Sequence, residues 1–284
     1  MRCRNFALLA VLATATLFAQ SQTYNFTTLD YPGATMTNPS AINRAGVVVG
    51  DYFNNTSSPH GFAYYNGSFV AIDFPGATFT SANGINSKGV IVGHFSGQAG
   101  THGFVLEDSE FTQVDVPGST YTAVDGINDA GVLGGIYLDS SSKIHSFLRF
   151  GRDQYRTVTF PGSDYTAVNA LNNRLELTGQ MSPPFVSAFL FSHQQWVNFY
   201  FPGAFTTTGR GINNRTQVVG VFDPQDPTGP QHGFLRNADG TFQQIDFPNS
   251  SGSSASGIND AGVIVGGYND SAGNSHGYIA TPQP

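Results

Sequence analysis

Histidine, carboxylate and aromatic side chains recur along this chain at near-fixed intervals, and the breaks in that recurrence carry as much information as the pattern. His60, His102, His145, His232 and His276 each open a His-Gly or His-Ser step. Asp73, Asp115 and Asp246 follow three of them 13 or 14 residues later. Imidazole is a common zinc or copper ligand, but a metal site needs three or four donors converging within about 2 Å of one ion. Histidines spread over separate repeats do not converge in that way. In an antiparallel hairpin a His and an Asp at this spacing lie side by side, so hydrogen-bonded latches are expected and no metal or other cofactor. Where Ser187 replaces the histidine, Tyr200 replaces the aspartate, so both partners are lost together. His145 faces Thr159, a partial exception.

Polar residues that interrupt the pattern form a second group. Glu176 stands where other repeats carry Val47, Val90, Val132, Gln217 and Val263. A carboxylate in a buried strand is costly unless paired. It is read either as an ion pair with Arg174 or Arg210 that fills a structural gap, or as a catalytic group. Arg210 departs from Ser40, Asn83, Asp125, Asn169 and Ser256 at its own position, and Asp51 and His94 depart from Ile136, Gln180, Val221 and Gly267 at theirs. Glu176, Arg210, Asp51 and His94 are therefore the candidate catalytic set, on the expectation that they converge at one mouth. Glycoside hydrolysis would need two carboxylates at a defined separation, which the spacing does not fix. Asp125, together with Phe79, Tyr121 and Tyr165, makes the candidate ligand-binding set. The three aromatics, like Met36, lie four residues after a proline and have inter-blade packing as their competing role. Trp196 occupies a position where other repeats have Phe or Tyr, which assigns it to the core. No Gly-x-Ser-x-Gly, His-Glu-x-x-His, phosphate-loop or dinucleotide fingerprint is present.

The elements that must position these residues follow from the repeat itself. Pro32, Pro75, Pro117, Pro161, Pro202 and Pro248 are separated by 43, 42, 44, 41 and 46 residues, a period typical of stacked or circular repeats. Each repeat holds four short strand signals divided by turns. One strand starts at His-Gly-Phe and ends at a polar hairpin such as Asn66-Gly67. The next carries an aromatic six residues before the proline: Phe26, Phe69, Phe111, Tyr155, Trp196 and Phe242. A third ends in Ile-Asn, with Asn43 and its counterparts closing an Asx turn and Gly46, Gly89, Gly131 and Gly262 supplying positive φ. The fourth, as in Val47-Val48-Val49, is apolar and suits burial on both faces.

Four antiparallel strands in about 43 residues match one blade of a β-propeller, so the expectation is an all-β, six-bladed ring over residues 23–284. The first strand and the last are complementary parts of one blade, and the His-Asp register predicts that His276 meets Asp30. The Gly-Ile-Asn turn, the Gly-flanked apolar strand and the His-Gly-Phe step resemble the HAF-type extracellular repeat family over residues 24 to 280. That resemblance implies export and a repeat fold, with no shared activity attached.

Arg2 and Arg4 precede an apolar run from Phe6 to Phe18, the layout of a signal peptide over residues 1–22, so an exported location, extracellular or periplasmic, is expected. No span would remain after its removal. The only cysteine, Cys3, lies in this segment, so disulfides hold nothing together. Loss of the two arginines takes the formal charge from -7 to -9, against a nucleic-acid or anionic-membrane partner. The connections that vary, residues 53–59, 96–101, 138–144, 182–186, 223–231 and 269–275, share one face with the proline turns. Variable loops on a constant frame point to a binding or scaffold module for carbohydrate or a surface polymer. A glycan-active hydrolase or lyase with one central site is the alternative.

Overall fold

The structure is a computed structural model that describes residues 22–284 apart from 55–57, 98–99, 183–185 and 226–228. The expected signal segment, residues 1–21, lies outside the described residues, as do parts of four of the variable loops. Every regular element described is a β-strand, and no helix is long and apolar enough to cross a membrane.

The strands form four separate four-stranded sheets and one eight-stranded sheet. The larger sheet is two four-stranded sets joined by a single parallel bridge between Tyr121 and Thr101. Each set is an antiparallel meander. In the first repeat Met36–Ile42, Val48–Phe53, His60–Tyr65 and Ser68–Ile72 pair in that order, as inner, second, third and outer strand. The last set takes its outer strand from the other end of the chain. Tyr24–Leu29 pairs with Ser275–Pro282, Tyr24 opposite Pro282 and Leu29 opposite Gly277. The expected latch between His276 Nδ1 and Asp30 Oδ2 is present at 2.8 Å.

Burial explains why these short strands hold. The third strands supply Phe62, Phe104, Phe147, Phe189, Phe234 and Tyr278, all fully buried. Removing each such ring from water contributes about 1.5–3 kcal/mol. The second strands bury residues on both faces, Val48 and Val49 among them, because each sheet is covered by the next. Trp196 packs its indole against Phe160, Phe189 and Phe191, with centroids 5.4, 5.2 and 4.7 Å away.

A closer fit is required where the inner and second strands meet. The inner strand slips register by one residue in every repeat, between Pro39 and Ala41, Ala82 and Gly84, Val124 and Gly126, Val168 and Ala170, Gly209 and Gly211, and Ala255 and Gly257. The glycine opposite each bulge admits no side chain. A Cβ on Gly93 would sit 1.9 Å from the Ser81 carbonyl oxygen, and one on Gly179 would sit 1.8 Å from that of Ala167.

The Ile-Asn turns tie the repeats together. Each Asn Oδ1 accepts bonds from backbone amides two and four residues on, as from Ala45 and Val47 to Asn43, which is the expected Asx turn. Each Asn Nδ2 also donates to the carbonyl of the corresponding Asn in the next repeat. The bonds run Asn43 to Asn86, then to Asn128, Asn172, Asn213 and Asn259, and from Asn259 back to Asn43, at 2.9–3.3 Å. These side chains are buried, and the ring satisfies both ends of each amide.

Candidate functional site

The proline turns and the loops after the second strands lie on one face. Thr35, Thr78, Thr120 and Ser251 donate backbone bonds to Phe53, Ser96, Leu138 and Asn269, at 2.7–2.9 Å. The Asn turns lie on the other. Between the faces runs a narrow cavity of about 80 Å³ lined by residues of every repeat. Six of them are the bulge residues Ser40, Asn83, Asp125, Asn169, Arg210 and Ser256. A bulge removes one residue from the ladder and re-aims its side chain, here toward the axis.

Several candidate residues converge at the loop-face end of this channel. Asp51 Oδ1 accepts from Asn38 Nδ2 at 2.9 Å, and its Oδ2 accepts from Ser81 Oγ at 2.8 Å. Ser81 Oγ also lies 2.9 Å from Asn83 Oδ1. Asn83 Nδ2 donates to Asp125 Oδ1 at 3.0 Å and lies 3.0 Å from His94 Nδ1. Phe79 meets the His94 ring edge-on with centroids 5.3 Å apart, and Tyr121 stands 6.3 Å away on the other side. Asp51, His94, Asp125, Phe79 and Tyr121 are thus one group joined by hydrogen bonds and ring contacts across three repeats.

The electrostatics follow from burial. Desolvation pushes the Asp125 carboxyl up to about 7, against the single lowering bond from Asn83. It raises Asp51 as well, with the bonds from Asn38 and Ser81 opposing. His94 is pushed down to about 4 by burial, so its imidazole is neutral at pH 7. Tyr121 is raised to about 12 by burial and by Asp125. Burial thus raises the proton affinity of both carboxyls and leaves a neutral imidazole beside them.

The remaining candidates stand apart. Tyr165 accepts from Gln180 Nε2 at 2.8 Å, and Gln180 Oε1 accepts from Thr208 Oγ1 at 2.9 Å, a separate link to the fifth repeat. Arg210 lines the channel in that repeat, where desolvation lowers its pKa and Asp223 and Tyr278 oppose the shift.

Glu176 is not at this mouth at all. It sits in the Asn turn of the fourth repeat on the opposite face, 3% exposed. Its carboxylate accepts from Asn172 Nδ2 at 2.5 Å, Ser192 Oγ at 2.5 Å and Arg174 at 2.9 Å. Burial raises its pKa, but those three donors and the Arg174 charge outweigh it and hold the group below its usual range. The expected convergence of Glu176 with Arg210, Asp51 and His94 does not occur, because the Asn turn and the loop-face mouth are at different ends of the inner strand. Arg174, not Arg210, is the ion-pair partner.

The His-Asp latches lie on the outer part of the loop face. His60, His102 and His232 bond Asp73, Asp115 and Asp246 at 3.0, 2.8 and 2.7 Å. His145 turns instead to Asp139 in its own loop at 2.9 Å and not to Thr159. Each of these rings lies near an aromatic of the second strand, such as Tyr52 or Phe95, and in the first, second and fifth repeats that aromatic in turn stacks on the residue before the proline. Tyr31 on Tyr52 and Phe74 on Phe95 have centroids 3.6 and 3.5 Å apart. Among the described residues no group of three His, Cys, Asp or Glu side chains is placed to hold a metal ion. Sequence reasoning missed Ser81, Asn38 and the bridging role of Asn83. Asn38 and Ser81 are small polar residues at an inner-strand position that carries Ala123 and Ala167 in other repeats, and Asn83 is one of the polar residues found at its position in every repeat.

Four-stranded antiparallel meanders packed around a channel define a β-propeller. No family profile and no curated protein sequence matches the chain. Solved structures do share its fold. The SapL1 lectin in complex with α-methyl fucoside aligns with a TM-score of 0.53 and 12% identity, over 83% of this chain and 89% of that one. A variant of the Aleuria aurantia lectin in complex with Fucα1-6GlcNAc gives 0.52 and 10%, over 91% and 97%. AofleA from Arthrobotrys oligospora gives 0.50 and 12%, over 92% and 84%. At these identities the likeness is one of fold.

Proposed function

We propose that the protein is a secreted, closed six-bladed propeller of the HAF repeat type that binds carbohydrate or a surface polymer through its variable-loop face. The ring of Asn bonds that returns from Asn259 to Asn43 and the pairing of the first and last strands support closure. One observation carries the binding reading: the channel mouth sets the rings of Phe79 and Tyr121 beside the amide, carboxyl and imidazole groups of Asn83, Asp125 and His94. A sugar presents apolar C–H faces and a rim of hydroxyls, and aromatic walls with a few fixed polar groups suit both. That two propellers of this fold are lectins held in complex with fucose-containing ligands supports the same reading. The hydrolase alternative lacks support from Glu176, whose carboxylate is buried and bonded away from the mouth.

The test is a glycan array followed by calorimetry on the best ligand. The double variant Phe79→Ala, Tyr121→Ala should weaken binding by roughly tenfold or more, as truncation of aromatic anchors does. Conversion of the bound glycan into product would overturn the binding reading, and binding of every array ligand untouched by the double variant would overturn the channel mouth as its site.

A further inference from the structure

The last repeat is bare where the others are filled. Gly252 occupies the inner-strand position held elsewhere by Met36, Phe79, Tyr121, Tyr165 and Thr206, as the register opposite the second strand shows. Gly267 occupies the second-strand position of Asp51, His94, Ile136, Gln180 and Val221. Neither glycine is demanded by the backbone. Neither has a positive φ. A Cβ on Gly252 would meet nothing nearer than 3.6 Å, and one on Gly267 nothing nearer than 3.5 Å. The bulge glycines behave in the opposite way, as Gly266 shows with a Cβ position 1.9 Å from the Ser254 carbonyl.

Two adjacent strand positions without side chains leave a recess of about 220 Å³ on the loop face. Asn38, Gln231, Ser254, Asn269, Ser275 and His276 surround it. Polar groups are aimed into the space above the glycines. Asn269 Nδ2 is 3.8 Å from the Cβ position of Gly252, and Ser254 Oγ is 3.7 Å from that of Gly267. Among the described residues neither group has a hydrogen-bond partner, while Asn269 is fixed by the bond its Oδ1 accepts from Ser275 Oγ at 2.8 Å. His276 is anchored behind the recess by Asp30, with Asp270 3.5 Å from its Nε2. Among the described residues no carboxylate, lysine or arginine lines the space.

We propose that this recess is a binding site for a single neutral sugar ring, separate from the channel mouth. Amides and hydroxyls that both donate and accept match a polyol, and the two aspartates behind His276 disfavour a uronic acid. The inference rests on the carbohydrate reading above and adds its own site and ligand class.

The experiment titrates neutral methyl glycosides of glucose, galactose, mannose, fucose and N-acetylglucosamine against the full secreted chain, with methyl glucuronide and glucosamine as charged controls, by saturation-transfer NMR and calorimetry. A neutral glycoside should bind. Gly252→Phe with Gly267→Val, residues that other repeats use at these positions, should weaken it at least tenfold with the melting temperature unchanged or higher. Phe79→Ala, Tyr121→Ala should leave this site's affinity within twofold. Preference for a charged sugar, or unchanged affinity in the filled variant, overturns the recess. If array glycans bind wild type and filled variant alike, the recess fails and the channel-mouth reading stands. If no glycan binds, both fail.

Discussion

Replacing Glu176 separates a structural carboxylate from a catalytic one. Its carboxylate accepts charge-assisted bonds from Asn172 and Ser192, each at 2.5 Å, and from Arg174 at 2.9 Å. Arg174 is 51% exposed, so its share is small, under about 1 kcal/mol. Asn172 Nδ2 keeps its bond to the Asn213 carbonyl at 2.9 Å. What Glu176→Ala removes is two buried charge-assisted bonds worth about 1.5–3 kcal/mol each, offset by relief of the carboxylate's own desolvation. The expected net loss is about 2–4 kcal/mol, a fall in melting temperature of roughly 5–15 °C for a domain of this size. Glu176→Val restores the residue of four other repeats. It adds apolar burial worth about 1.5 kcal/mol, and Ser192 Oγ retains His193 Nδ1 at 2.9 Å, so its stability should lie within about 1 kcal/mol of the wild type. The folded pKa of Glu176 is depressed below its ordinary value of 4.5. Its stabilisation is therefore present above that value and lost as pH falls through the folded pKa. Thermal melts at pH 7 and pH 3, with glycan binding measured in parallel, read all of this. Loss of binding or turnover in a Glu176→Val protein of wild-type stability, or an Ala variant as stable as the wild type, would refute the reasoning.

Other outcomes follow from the same geometry. Gly179→Ala forces a Cβ to within 1.8 Å of the Ala167 carbonyl; it should cost more than about 4 kcal/mol and show as loss of soluble protein, whereas Gly252→Ala should melt like the wild type. Asp125, raised to about 7 by burial, binds a proton more tightly folded than unfolded, so its contribution is lost as pH rises from 3.8 through 7. Asp125→Asn should accordingly raise the melting temperature at pH 8 more than at pH 5. His276, raised first by its bond to Asp30, favours the folded state fully below pH 6.5 and loses that contribution as pH rises through its folded pKa. The difference in melting temperature between the wild type and His276→Gln should therefore shrink from pH 6 to pH 9, and its total should be under about 1 kcal/mol because both partners are partly exposed.

Much of the fold is legible because each repeat restates it. The His-Gly step, the Asn turn and the aromatic before the proline each satisfy a local requirement, and the period multiplies the signal. The latches at His60, His102, His232 and His276 could be read from spacing alone, since antiparallel register fixes which residues lie opposite. His145 departs because Asp139, in its own loop, supplies the carboxylate that the outer strand lacks where it carries Thr159. The mouth was only partly legible. Asp51, His94 and Asp125 stood out as polar exceptions, but Ser81 and Asn83, which join them, look like ordinary strand residues until neighbouring repeats are placed side by side. Glu176 was the most conspicuous exception in the sequence and proved remote from the mouth, because a break in the pattern signals an unusual environment without saying at which end of the strand it lies.

The sequence by itself determined the repeat, the four strands in each unit, the turns and the paired latches, which apart from the closing latch of His276 with Asp30 depend on contacts within one repeat of about 43 residues. Only the tertiary structure decided which exceptions meet. Asp51 reaches Asn83 through Ser81 because adjacent repeats stack, and Gly252 and Gly267 matter because the strands that carry them are neighbours and together open one recess. A missing side chain leaves no mark in a chain with 34 glycines. It becomes a site only when packing shows that the backbone does not require the glycine and that polar groups from three repeats surround the space it leaves.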